Sequence, residues 1–422
     1  MRSVLCLLIL GLLAGLAVRA NAGAEASSDA QQLIYLASWP HQILVFDAVQ
    51  EKIVDQINLD TDVAQTLVLS ADKKKLYAST VKDNSIVTVD LATRKVLSTF
   101  PVDTANHNTR ILGLTVDPAG KYLYALGSTV TKLIDHYEIG PYQMMLIDLE
   151  AHKISRAVDF PKDESLSGFW RIQMKFSPDG KYLYLFLGDV LVFDARTLAL
   201  VKKIDLANPQ VPGFANVVFN PVEEESAEDP NEEPGKLTNV FMSSDPYVHR
   251  AVFGIAKIDL ATLTFDFTPV APATTLSMTP LLMTPDHQTG YTIAINGTPG
   301  NRRCEFWAFD MKSRKLINKK EFEGRNRFSF GLTADGTKIL IYGAGYEISV
   351  YDAKTFEFRK NVVLPGDITS NIIVMPLSSP ACFRADPNIS CNVLYPSIEN
   401  SLPVRNQLQR HMRHVNSCST WC

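Results

Sequence analysis

A closed ring of seven four-stranded β-sheets, a β-propeller, is the fold this chain predicts, on three observations. An Asp that ends an apolar run recurs at Asp47, Asp90, Asp148, Asp194, Asp259, Asp310 and Asp352, at intervals of 43, 58, 46, 65, 51 and 42 residues. A repeat of that period marks a stacked or circular architecture. A second motif interleaves with the first: SADKKKLYAS (70–79), DPAGKYLYAL (117–126), SPDGKYLYLF (177–186), TPDHQTGYTI (284–293) and TADGTKILIY (333–342). The third observation is that the two ends complement each other. The chain opens on QQLIYLASWPHQILVFDA (31–48), two strands with none before them, and the repeats close on SNIIVMPLS (370–378), one strand with none after it.

Each element follows from these signals. One unit reads strand A, a Pro/Asp/Gly turn, strand B, a loop, strand C, an Asp turn, strand D. The Pro/Asp/Gly turn is a hairpin signal between strands with alternating large residues. The Asp turn joins C to D, as in IVTVD-LATR-KVLSTF, because a short carboxylate bonds nearby backbone N–H groups. The first blade takes strands B to D from 31–59 and strand A from 370–378, so ring closure removes the exposed edge of an open sheet. The unit at 217–221 keeps only VVFNP before VEEESAEDPNEEPGK (222–236), which holds seven carboxylates. Pro230 and Pro234 predict an extended, solvated insertion there, with no Asp spacing that would impose a calcium geometry.

Outside the ring, three segments differ. Arg2, the apolar LCLLILGLLAGLAV (5–18) and Ala20-Asn21-Ala22 form a signal peptide over 1–22, followed by a short linker at 23–30. The propeller is expected over 31–378 and a Cys-containing extension over 379–422. Export permits disulfides, and Cys382, Cys391, Cys418 and Cys422 are the candidates. Their pairing is open, and a zinc set of His411, His414, Cys418 and Cys422 is the rival. Cys304 falls inside a predicted strand C and is expected to be buried.

Composition narrows the function. The chain is 46% hydrophobic and 20% charged with a net charge of −4, which argues for a globular protein and gives no reason to expect a nucleic-acid partner. No CxxCH, GxSxG, HExxH or phosphate-binding Gly loop is present, so no catalytic, cofactor or metal residues are assigned on this chain. The unusual residues collect in the D-to-A and B-to-C loops, which share one face. They include Trp39 and His41, His107 and Arg110, His136, Tyr137 and Glu138, Trp170 and Arg171, Tyr247, His249 and Arg250, Arg302 and Arg303, and Arg325 and Arg327. Aromatic and Arg side chains anchor protein interfaces. The longest of these loops, STVTKLIDHYEIGPYQ (128–143), keeps Leu133, Ile134, Tyr137 and Ile139, which a merely solvated loop does not need.

The propeller region resembles the β subunit of quinohemoprotein amine dehydrogenase. The resemblance lies in LIYLASWPHQILVFDA, STVKDNSIVTVDLATRKVLS, DPAGKYLYALGSTVTKLIDHYEIGP and YDAKTFEFRKNVVLPGDITSN, and most specifically in HYEIGP (136–141). It implies a periplasmic heterotrimer. A γ subunit carries cysteine tryptophylquinone, an α subunit carries haem c, and the β propeller holds the quinone-bearing subunit and helps wall the cavity where primary amines become aldehydes. On that reading His136, Tyr137, Glu138, Trp170, Arg171, Tyr247 and His249 belong to the partner interface. The alternative is a stand-alone exported propeller of the YVTN type acting as a protein-binding module. A lactonase-like propeller enzyme would need carboxylates and Asn around a central metal, whereas the axial loop positions expected here are richer in Arg and His.

Overall fold

The computed structural model describes residues 31–377 apart from 165, 167–171, 209–213, 220–226, 245–250, 273–276, 298–300, 302, 324–327 and 344. The expected signal peptide, linker and tail, with Cys382, Cys391, Cys418 and Cys422, lie outside these residues.

Strands and turns build everything described. The chain opens on β1 (Leu33–Ser38), β2 (Gln42–Asp47) and β3 (Lys52–Asn58). Five blades follow in order: β4 (Ala64–Leu69) to β7 (Lys95–Pro101); β8 (His107–Val116), β9 (Tyr122–Lys132), β10 (Tyr137–Asp148) and β11 (Lys153–Asp159); β12 (Gln173–Phe176) to β15 (Leu200–Ile204); β16 (Ala215–Phe219), β17 (Lys236–Ser244), β18 (Ala251–Asp259) and β19 (Thr264–Pro272); and the blade from β20 (Ser277–Met278) to β24 (Lys315–Phe322). In that sixth blade, strand A is split into β20 and β21 (Leu282–Met283), both pairing with β22 (Thr289–Asn296). The seventh blade runs from β25 (Ser329–Leu332) to β28 (Phe358–Val363), and β29 (Ile368–Val374) then returns to pair antiparallel with β1. Seven sheets result, and the first is completed by both ends of the propeller, as the sequence predicts.

The core explains why the ring closes. Seven clusters of buried apolar residues each lie between two consecutive blades. Successive strand residues point to opposite faces. Thus Ile34, Leu36, Leu44 and Phe46 pack against the seventh blade, and Tyr35, Ala37, Ile43 and Val45 against the second. A blade without neighbours would leave both faces in water. Cys304 is fully buried between the sixth and seventh blades.

Side chains stitch the blades together. Asn371 of β29 accepts from the Leu67 N–H at 3.0 Å and donates to its carbonyl at 3.1 Å, joining the innermost strands of blades one and two. The Tyr124 and Tyr184 hydroxyls, from KYLY segments, donate to the carbonyls of Ala195 and Leu260 in the next blade, at 3.0 and 2.8 Å. Burial pushes the Tyr124 hydroxyl up to about 12.

All seven Asp turns share one geometry. The carboxylate accepts backbone N–H groups two or three residues on, as Asp47 does from Val49 (2.8 Å) and Asp352 from Thr355 (2.9 Å). The fourth residue after each Asp has positive φ: Glu51, Arg94, His152, Leu198, Leu263, Arg314 and Phe356, all between 50° and 62°. A left-handed residue there makes the bulge that lets a short turn match the twist of its strands. Hydrogen bonds from the Thr355 N–H first, then the Thr355 hydroxyl and the Lys354 N–H, outweigh the opposing effect of burial and hold the Asp352 carboxyl below the usual carboxylate range.

The acidic insertion corrects the expectation of a solvated segment. Its described part, 227–236, is anchored to the ring at Ala227, Asp229, Asn231 and Glu232, while Glu228, Glu233 and Pro234 stay exposed. Ala227 is 2% exposed, clusters with Ile34 and Ile372 of the first blade, and donates its N–H to the Phe330 carbonyl of β25 at 2.8 Å. Gly235, at φ 71°, takes the left-handed place that Gly180 fills in SPDG, so the insertion sits inside the A-to-B turn of blade five.

Candidate protein-docking face

The B-to-C and D-to-A connections form one face, and one blade stands out from it. Strands β8, β9 and β10 continue past the other blades as a three-stranded flap: His107 pairs with Thr131, and Tyr137 with Lys132. The segment expected to be a loop (128–143) is therefore mostly strand, turning only at 133–136. The pairing of β10 with β11 ends at Gln143 opposite Asp159, so the flap has no fourth strand. A register shift between Ile139 and Tyr142 absorbs Gly140 and Pro141. Pro lacks an N–H and is tolerated at such a bulge.

The flap presents apolar side chains to solvent. Ile134 is fully exposed, Ile139 is 76% exposed and Tyr137 66%. These positions have no structural need to be large and apolar, since they bury nothing within the blade. Trp39, Val81 and Tyr346 are also exposed in the B-to-C loops of blades one, two and seven. Exposed large apolar residues thus follow an arc over four consecutive blades of one face. The flap, where Ile134, Tyr137 and Ile139 are exposed close together in sequence, is the candidate interaction surface on this face.

A cleft of about 580 Å³ opens where the flap meets the second blade, lined by Lys82, Asp83, Asp103, His107, Lys132 and Tyr137 among others. Asp103 is held in place by the Thr109 N–H at 2.7 Å and by the Asn84 amide. His107 Nδ1 lies 3.2 Å from the Thr131 hydroxyl, across the flap. At the tip, His136 Nδ1 is 2.7 Å from the Asp135 carboxylate, and both side chains are exposed. Glu138 is exposed beside Tyr137. The arrangement offers an apolar ridge beside a cleft of mixed charge. Among the described residues, no three His, Cys, Asp or Glu side chains converge as a metal set.

His136, Tyr137 and Glu138 are therefore brought together on the flap. Trp170, Arg171, Tyr247 and His249 lie outside the described residues. Arg303 is exposed on strand C of blade six and forms a bidentate pair with Glu321, at 3.0 and 2.6 Å. Sequence reasoning missed the cleft residues Lys82, Asp83 and Asp103. The clustering of polar residues in VKDNS and VDTANHN was the available signal.

No family model matches the chain. No curated protein sequence matches it either. Solved structures do: a protein of unknown function from Desulfotomaculum acetoxidans is 14% identical over 82% of this chain and 100% of that chain, with a TM-score of 0.50. The periplasmic gluconolactonase of Pseudomonas aeruginosa is 11% identical over 82% of this chain and 99% of that chain, with a TM-score of 0.51. At such identities the likeness shows the fold alone, a β-propeller.

Proposed function

We propose that this chain is the propeller subunit of a periplasmic quinohemoprotein amine dehydrogenase. It holds a quinone-bearing subunit against its docking face and contributes a wall to the cavity where a primary amine is oxidised to an aldehyde. The observation that carries the reading is the flap. The HYEIGP segment, on which the resemblance is most specific, is also where the fold departs from a plain blade and exposes Tyr137 and Ile139, just after the exposed Ile134. Cysteine tryptophylquinone and haem c would reside on the partner subunits, and the cofactors would do the redox chemistry while this chain orients them and excludes water. Periplasmic residence is supported by the apolar leader at 5–18 and agrees with the periplasmic gluconolactonase sharing the fold.

The test is assembly. With Tyr137→Ala and Ile139→Ser together, the ring should fold unchanged, because neither side chain is buried. Co-purification of a quinone-bearing and a haem-bearing chain should fall at least tenfold, since interface energy concentrates in aromatic anchors. Undiminished co-purification and amine oxidation in that variant would remove the flap from the interface. A stand-alone binding module would use the same exposed arc, and purification of the wild-type chain with neither partner would favour that reading.

A further inference from the structure

The acidic segment on the opposite face has a role that the docking face does not touch. Innermost strands alone surround the axis of a propeller, and residues 227–235 contact those of several blades. Ala227 reaches Phe330 of β25. Asp229 Oδ2 accepts the Met283 N–H of β21 at 3.1 Å, and Asn231 Nδ2 donates to the Met283 carbonyl at 2.8 Å. Glu232 Oε2 lies 2.7 Å from the Lys175 ammonium of β12, and Gly235 packs beside Pro178. Residues 227–235, which precede β17 of blade five, touch blades four, six, seven and one and so span the centre of the ring. Met283 and Pro178 belong to A-to-B turns or the strand ends beside them, so the mouth it covers is the turn face.

We propose that residues 227–234 are a plug of the axial channel whose seating depends on protonation of Asp229, held in mildly acidic solution and loosened as the pH rises. Asp229 is the hinge of the contact. Besides Met283, its carboxyl accepts the Asn231 N–H at 2.9 Å, which bends the segment back on itself. Two carboxylates, one cation and one histidine surround it. Glu228 and Glu232 flank it on its own segment. Lys175 is the cation from β12, already engaged by Glu232. From the blade-six turn comes His287, whose Nε2 is 2.6 Å from the Asn231 carbonyl. Among the described residues, nothing hydrogen-bonds the buried Glu232 Oε1. Burial raises the Asp229 carboxyl to about 7, with Glu232 adding to the rise and the Asn231 and Met283 N–H groups and His287 opposing it. A carboxyl raised in the seated state binds its proton more tightly there than in the released state. The resulting stabilisation is complete below the ordinary carboxylate range and is lost as pH climbs through about 7.

Amide hydrogen exchange on the full chain tests this at Met283, whose N–H donates to Asp229, and at Ala227, whose N–H donates to the Phe330 carbonyl, each rate being taken relative to the unstructured rate at the same pH. Between about pH 5.5 and pH 8.5, protection at both amides should fall roughly thirty-fold, the factor that a group titrating near 7 imposes. In Asp229→Asn, which cannot ionise, protection should be the same at both pH values, whatever its level. In His287→Gln the pH dependence should persist. Equal protection at both pH values in the wild type overturns the proposal. So does a pH dependence that survives in Asp229→Asn or disappears in His287→Gln.

Discussion

Replacing Asn371 by Ala cuts the seam between the first and second blades. The side chain makes two hydrogen bonds to one residue, Leu67, whose N–H and C=O it satisfies at 3.0 and 3.1 Å. Leu67 is 2% exposed. Each net hydrogen bond is worth about 1 kcal/mol, and a buried group left unpaired costs about 1–3 kcal/mol. Water entering the space left by the amide offsets part of this, so the expected loss is about 2–4 kcal/mol. For a domain of this size about 2 °C accompanies each kcal/mol, which puts the fall in Tm at about 4–8 °C. The assay is thermal unfolding followed by circular dichroism at one fixed scan rate, because irreversible unfolding makes Tm rate-dependent. Asn318→Ala is the control: its amide donates to the Lys354 carbonyl at 3.2 Å on the exposed outer edge, and its loss should shift Tm little. Equal Tm values for the two variants would refute the claim that polar stitching of innermost strands secures the ring.

Two other expectations follow from the same physics. Tyr184→Phe removes the 2.8 Å bond to the Leu260 carbonyl while keeping the ring buried, and should cost about 1 kcal/mol in chemical denaturation without changing the fold. In the tail, Cys382, Cys391, Cys418 and Cys422 are proposed to form two disulfides. The unreduced chain should then weigh about four hydrogens less than the reduced one and resist thiol labelling at those positions; labelling of all four with stoichiometric zinc would support the metal alternative.

What could be read from the sequence was local. Each Asp turn is a contact between a carboxylate and N–H groups two or three residues on, and each Pro/Asp/Gly turn is equally short-range, so seven units and their strand order are visible from the residues. Ring closure was visible as well, because the missing strand A and the surplus one are complementary. The flap was half legible. Its apolar residues singled it out, but Gly140 and Pro141 break the alternation of β10, and a bulge that accommodates them leaves no mark in the pattern. The plug was misread because its partners are distant in sequence. Lys175 stands 57 residues before Glu232, and Ala227 is buried by strands of blades seven and one, two and three blades further round the ring. Carboxylates and prolines describe a solvated chain until the cation and the strands that receive them are known.

The account rests most heavily on this chain being one part of an amine-oxidising complex. Purifying it from its own cells under mild conditions, and then adding a primary amine, tests that directly. The account predicts that the preparation contains a haem c chain and a small quinone-bearing chain, and that the haem absorption bands shift to their reduced form on addition of the amine. A chain that elutes alone, or a preparation whose spectrum ignores the amine, would contradict it.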